Sequence, residues 1–190
     1  MRLFVAVEIA EHVRSRLASL SAELQQRAAR HARGARVTWV QPERMHLTIR
    51  FIGESDADRA AAIAAALAPP LPTPAFDMRI SGTGAFPPRG RPRVLWAGIE
   101  EGLDGLQALE REVTARLSGC GVPPEDRPYR PHLTLARVRD PAGLRSDRLF
   151  DGLSDTLGTS RVDAITLFHS KTSPKGPEYT ALQRTPLAST

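Results

Sequence analysis

The sequence predicts an α+β fold of two pseudo-symmetric lobes, each an antiparallel-rich sheet with helices packed outside, enclosing a central groove. Three observations predict it. Both halves of the chain run through the same order of strand, helix, turn and strand. Two near-copies, Met45-His46-Leu47-Thr48-Ile49 and Pro131-His132-Leu133-Thr134-Leu135, lie 86 residues apart, about half the chain. Finally, 190 residues, 41% hydrophobic and 25% charged, suffice for one packed core. The expected unit is a single domain over residues 1–190, with lobes of about 1–92 and 93–190.

Residues Arg2 to Ile9 alternate, with Leu3, Val5 and Val7 on one face and Phe4, Ala6 and Glu8 on the other, which predicts the opening strand. Val13, Leu17, Leu20, Leu24 and Ala28 recur at helical spacing, so a long amphipathic helix is expected from Glu11 to His31. His12 and His31 fall near its ends, as solvated residues. Arg36 to Val40 and Met45 to Ile52 follow as strands, separated by a turn at Gln41-Pro42-Glu43 and ended by Gly53. Ser55 with Asp58 resembles a capping box for an alanine-rich helix that ends at Leu67, before Pro69-Pro70.

In the second half, Phe76 to Ser81 and Arg93 to Ile99 read as strands around a surface loop, Gly82 to Pro92. A helix from Leu103 to Leu117, closed by Gly119 and Gly121, leads to a proline-flanked segment at Pro128 to Val138. A short polar helix near Leu144 to Leu157, a strand at Val162 to Phe168, a turn at Pro174-Lys175-Gly176 and a last strand at Glu178 to Gln183 complete the reading. Pro186 to Thr190 are expected to fray.

The net charge is +5, and 24 of the 26 basic residues are arginine, whose planar fork suits phosphate. The coding bias of a GC-rich genome explains most of these arginines better, so charge alone raises the expectation of a nucleic-acid partner only modestly. The alanine-rich stretch Ala60 to Leu71 falls short of the ~20 apolar residues of a membrane span. Glu8 interrupts the first apolar run before a cleavage site, so no signal peptide is expected. Cys120 is the one cysteine, which excludes an internal disulfide and points to a reducing cytoplasm.

The chemistry-bearing residues lie in the two near-copies. On a strand, residues two apart share a face. Alternation therefore puts His46, Thr48 and Arg50 opposite Leu47, Ile49 and Phe51, and His132 and Thr134 opposite Leu133 and Leu135. Each strand gains an apolar face for the core and a polar face with one imidazole beside one hydroxyl. Two imidazoles across a groove supply what opening a 2′,3′-cyclic phosphate requires: a base for water and an acid for the departing ribose oxygen. Histidine suits both roles, because its ordinary pKa of ~6.5 lies near neutrality. The threonine hydroxyls can donate to non-bridging phosphate oxygens.

A single His-Leu-Thr would be read as packing; two copies at mirrored places are much harder to explain that way. A zinc site is disfavoured because the other histidines show no paired ligand spacing and Cys120 stands alone. No metal or other cofactor is expected.

With these motifs, the chain resembles the two-histidine phosphoesterases, and among them the RNA 2′,3′-cyclic phosphodiesterases formerly called 2′-5′ RNA ligases. The resemblance covers nearly the whole chain. Beyond the paired motifs it includes Arg2-Leu3-Phe4-Val5-Ala6, HLTIRFIGE from His46 to Glu54, PRVLWAG from Pro92 to Gly98, HLTLAR from His132 to Arg137, and residues 170–179 ending in GPEY.

The resemblance implies hydrolysis of a cyclic phosphate at an RNA 3′ end to a 2′-phosphate, with His46 as proton donor and His132 as proton acceptor. It also implies a secondary, reversible 2′-5′ joining of RNA ends without ATP. The residues alone do not order the two histidines. Thr48 and Thr134 are the phosphate-binding candidates. Arg137 is a candidate phosphate clamp, although strict alternation puts it on the core side unless the strand ends or bulges. Phe4 is a candidate for stacking on a base, against the commoner role of a core aromatic. Trp39, Trp96 and Tyr179 are read as packing residues. Arg89, Arg91 and Arg93 form a loop cluster for which solvation is an equal or better reading than RNA contact.

The competing class is a non-catalytic RNA or nucleotide-binding module with the same groove; two intact motifs favour catalysis. Small cyclic nucleotides, ADP-ribose 1″,2″-cyclic phosphate and 2′-5′ oligonucleotides remain alternative substrates. The expected enzyme is a monomer away from membranes.

Overall fold

The computed structural model describes residues 1–153, 156–174 and 176–189. The chain order is β1 (Arg2–Val7), α1 (Glu11–His31), β2 (Arg36–Trp39), β3 (Leu47–Glu54), α2 (Ala57–Leu67), β4 (Leu71–Pro74), β5 (Phe76–Phe86), β6 (Val94–Glu101), α3 (Leu103–Ser118), β7 (Leu133–Asp140), α4 (Ser146–Phe150), β8 (Thr156–Val162), β9 (Ala164–Ser173) and β10 (Gly176–Ala188). Among the described residues, ten strands hydrogen-bond in the order β4-β10-β9-β1-β3-β7-β6-β5-β8, with β2 on β7. All pairings but β4–β10 are antiparallel.

The narrow point of this sheet is the β3–β7 step, where Leu47 pairs with Leu133. It divides the strands into a β1/β3/β4/β9/β10 side and a β2/β5/β6/β7/β8 side. Each side draws strands from both halves of the sequence, and residues 92–93 fall inside the β5–β6 hairpin rather than between the sides. The cause is β9–β10, a C-terminal hairpin that returns to lie on β1.

The helices cover the apolar face. Val13, Leu17, Leu20, Leu24 and Ala28 of α1 are buried, and α1 packs on β8 and α4. Leu106, Leu109, Val113 and Leu117 of α3 are buried, and α3 packs on β3, β4 and α2. These spacings of three and four residues carry an apolar stripe along a helix. No helix among the described residues is long and apolar enough to cross a membrane.

Several boundaries differ from the sequence reading. Asp56, rather than Ser55, caps α2, accepting a hydrogen bond from the Arg59 amide at 2.8 Å. Gly53 does not end β3: it sits within the strand at φ 87°, paired with Leu3. The expected turn at Gln41-Pro42-Glu43 is a single 3₁₀ turn, Pro42–Arg44. Strand β5 continues to Phe86, so the expected loop from Gly82 shortens. The helix expected to reach Leu157 ends at Phe150, and β8 begins at Thr156; Ser154 and Asp155 between them lie outside the described residues. The expected turn at 174–176 includes Lys175, also outside them. The expected frayed end is overturned: Pro186 to Ala188 belong to β10, and Leu187 is buried against Leu71 of β4. Two prolines obscure β4 in the sequence, yet an edge strand tolerates them.

Candidate functional site

Leu47 and Leu133 are direct antiparallel partners, and both are fully buried. Partners in a sheet project to the same face, so the residues on either side of each leucine project together to the other. Carried one residue either way, this register places His46 opposite Thr134 and Thr48 opposite His132. The two motifs thus form one four-cornered polar patch at the junction.

Both imidazoles are anchored alike. Nδ1 of His46 lies 2.8 Å from the Arg44 carbonyl oxygen, and Nδ1 of His132 lies 2.7 Å from that of Arg130. A carbonyl only accepts, so Nδ1 carries the hydrogen in each ring. Nε2 is left as the working nitrogen on both sides, a base when bare and an acid when protonated. Tyr129 donates its hydroxyl to the Thr48 carbonyl at 3.2 Å, tying the loop before β7 to β3.

Neither strand keeps strict alternation. On β3, Val5 pairs with Arg50 and Ala6 with Thr48, which leaves Ile49 as the extra residue of a bulge. On β7, Leu95 pairs with Ala136 and Trp96 with Thr134, which leaves Leu135 in the same place. Both runs read buried, half-buried, buried, buried, exposed from the leucine onward. Two expectations on β3 are therefore corrected. Arg50 is turned away from His46 and is 3% exposed, donating to the Pro123 carbonyl with Glu125 at 3.6 Å. Phe51, expected in the core, is 52% exposed. On β7 the bulge brings Arg137 out to the histidine face, where its charge acts on His46, His132 and Tyr179.

The surroundings of the two histidines differ. Phe4 stacks on His46 at 4.8 Å and on Phe168 at 5.3 Å, and Tyr179 stands edge-on to His46 at 5.2 Å. Phe4 is 4% exposed and shields the imidazole, so its ring has little surface to offer a base. Tyr179, expected as packing, lies at the histidine instead. His132 is flanked edge-on by Phe86 at 5.2 Å. Sequence reading misses Phe86 and Phe168, whose strands place them here only through long-range pairing.

Burial, opposed by the hydrogen bond to the Arg44 carbonyl and assisted by the charge of Arg137, lowers the pKa of His46 to about 4. His132 is lowered by the same causes, with Arg130 supplying the carbonyl. Burial raises the Tyr129 and Tyr179 hydroxyls, so both stay protonated donors.

Among the remaining expectations, Arg89, Arg91 and Arg93 are exposed, with Arg91 3.8 Å from Asp140. Trp39 packs at the edge of the core. Trp96 lies beside Phe86 at 5.2 Å. Among the described residues, no group of three or more His, Cys, Asp or Glu side chains has the arrangement of a metal site.

A family model described as the 2′-5′ RNA ligase superfamily matches residues 17–174. An RNA 2′,3′-cyclic phosphodiesterase of Thermus thermophilus is 37% identical over 97% of this chain and 89% of its own length. One of Archaeoglobus fulgidus is 32% identical over 96% and 98%. A solved structure of a Thermus thermophilus protein superposes with a TM-score of 0.78 at 32% identity, over 98% of this chain and 97% of that one.

Proposed function

This chain belongs to the 2′-5′ RNA ligase superfamily, and from that premise we propose that it hydrolyses 2′,3′-cyclic phosphate ends of RNA, with His46 and His132 as its acid/base pair. The observation that carries the mechanism is the Leu47–Leu133 pairing, which sets both His-x-Thr faces side by side with both Nδ1 atoms anchored. His132 takes a proton from water through Nε2 as the water attacks phosphorus. His46 gives its Nε2 proton to the ribose 3′ oxygen as the P–O3′ bond breaks, leaving a 2′-phosphate. The geometry favours this order of roles. His132 is the more open ring, which water reaches, whereas His46 is enclosed by Phe4, Phe168 and Tyr179, suiting proton delivery away from bulk solvent.

The acid must be charged, although burial keeps His46 neutral in the free protein. The substrate supplies the compensation: a cyclic phosphate is an anion, and its charge beside the ring favours imidazolium. Thr48 and Thr134 donate to the non-bridging oxygens, and Arg137 holds the same charge from the β7 side. These are the proton transfers and charges of the reaction, and they use only the chain's own groups. The protein is proposed to work as a monomer in the cytoplasm, with small cyclic nucleotides as lesser substrates.

The test is a product assay. Purified protein, in chelator and without ATP, is given an oligoribonucleotide ending in a 2′,3′-cyclic phosphate. A 2′-phosphate end is expected. A 3′-phosphate would reverse the assigned leaving group, and an intact cyclic end would overturn the catalytic reading in favour of a binding module.

A further inference from the structure

On the His46 side of the junction, the histidine face of the sheet carries a polar row one step beyond the aromatic rings. Phe4 pairs with Phe51 on β3 and with Phe168 on β9, so these rings form a row across the strands. Arg2 lies two residues before Phe4 on β1 and shares its face. It pairs with Ser170 on β9, and Ser170 pairs with Tyr179 on β10. Direct partners project to the same side, so Arg2, Ser170 and Tyr179 stand in line beside the rings that enclose His46. Glu54 closes the row beyond Arg2, with the Met1 amine 3.5 Å from its carboxylate.

Cations converge on the Tyr179 end of this row. Tyr179 stands edge-on to His46 at 5.2 Å. Burial keeps its hydroxyl protonated, against the charges of Arg137, Arg44 and Arg2, which all act on it. Arg44 comes from the 3₁₀ turn before β3. A Cβ placed on Gly176 would lie 2.6 Å from Arg44 Nη1, so the guanidinium rests against the start of β10. Arg137 serves the reacting phosphate from β7, whereas Arg2 and Arg44 have no task in the proton transfers. Two guanidinium groups, a phenol and the Ser170 hydroxyl form a set of donors that suits a second phosphate.

We propose that Arg2, Arg44 and the Tyr179 hydroxyl hold the phosphodiester on O5′ of the terminal nucleotide, the first backbone phosphate upstream of the cyclic end. The proposal rests on the acid/base assignment above, which gives O3′ to His46 and so lays the terminal ribose against the β1, β9 and β10 strands. The O5′ substituent of that ribose leaves across the same strands, one nucleotide from the reacting phosphorus. The subsite binds and takes part in no bond change. It makes the chain of an RNA end, rather than the cyclic phosphate alone, part of what the site recognises. A mononucleoside 2′,3′-cyclic phosphate has no phosphate on O5′, forgoes these contacts and is therefore the poorer substrate.

The experiment compares two small substrates: adenosine 2′,3′-cyclic phosphate, and the same molecule with a methyl phosphate ester on O5′, which reproduces the phosphodiester of the chain without a second nucleoside. The quantity read is the ratio of their kcat/KM values, in which losses common to both substrates cancel. The unaltered protein should favour the esterified substrate at least about tenfold, the scale of one charge-assisted hydrogen bond. Added salt should lower that ratio, because the contacts are partly exposed. Arg2→Gln and Arg44→Gln should each reduce it, and the double variant should bring it to about one. Equal kcat/KM values in the unaltered protein, or a preference that survives in the double variant, would overturn the subsite. If the unaltered protein hydrolyses neither substrate, nor an oligoribonucleotide 2′,3′-cyclic phosphate, the functional reading on which the subsite rests is overturned instead.

Discussion

The strand segments that follow His46 and His132 have nearly the same backbone and markedly different surroundings. Each histidine is fixed through Nδ1 to the carbonyl two residues before it, each is followed by a buried leucine and a threonine, and each strand bulges at the fourth motif position. After the bulge the copies diverge: β3 presents Phe51 where β7 presents Arg137, and buries Arg50 where β7 buries Ala136. Around the first ring stand Phe4, Phe168 and Tyr179; beside the second stands Phe86. The duplicated backbone anchors two imidazoles alike, and unlike neighbours give them different environments.

The sharpest way to break this comparison is to remove one ring at a time. His46→Ala and His132→Ala should each lose nearly all hydrolysis, and the double variant should be little worse than either, because both proton transfers belong to one displacement. Single-turnover assays on folded protein check this. Independent, additive losses would mean that the rings do not act as a pair.

Next come the threonines. Thr48→Val and Thr134→Val keep β-branching but remove a donor to the phosphate, and loss of such a donor typically lowers the rate by ~10²–10³. Near-normal turnover in both would show that other groups hold the phosphate.

The residues after the bulges give a smaller effect. Arg137→Leu should lower kcat/KM by about 10-fold or more, the scale of a charge-assisted hydrogen bond. The Phe51→Leu variant at the matching position should retain the phosphate-dependent step. Equal effects at the two positions would remove the asymmetry.

These bulges mark the limit of what the sequence makes legible. The paired motifs, the buried leucines and the apolar stripes of α1 and α3 follow from spacing alone. The bulges do not: Ile49 and Leu135 are ordinary strand residues, and only their pairing partners reveal that each is supernumerary. Hence simple alternation puts Arg50 and Phe51 on the wrong faces, while Arg137 is a candidate only through the allowance for a bulge. Phe168 and Tyr179 reach His46 because β9–β10 returns to β1, a contact set by topology rather than by local pattern. Strand β4 escapes the sequence reading because Leu71-Pro72-Thr73-Pro74 carries the signature of a turn, and its parallel partner β10 lies at the far end of the chain.

The smallest effect concerns stability. The unfolded protein binds a proton to His46 near pH 6.5, whereas the native ring resists it until about pH 4. Stability from this group is complete above pH 6.5 and is lost as the pH falls from there through 4. Urea unfolding at pH 7 and at pH 4.5 should show a smaller acid-induced loss in His46→Gln than in the unaltered protein. An equal loss would mean that this ring is not held neutral by its surroundings.

The most direct test of the acid/base pair is the dependence of rate on pH, measured on the unaltered protein with an oligoribonucleotide 2′,3′-cyclic phosphate. One imidazole must be bare while the other is protonated, so kcat/KM should trace a bell. Because burial lowers both rings in the free protein, its maximum should lie below pH 6.5. The bell for kcat should lie at higher pH, since the bound phosphate anion favours imidazolium. A profile that is flat or rises in one direction from pH 4 to pH 8 would contradict the two-histidine account.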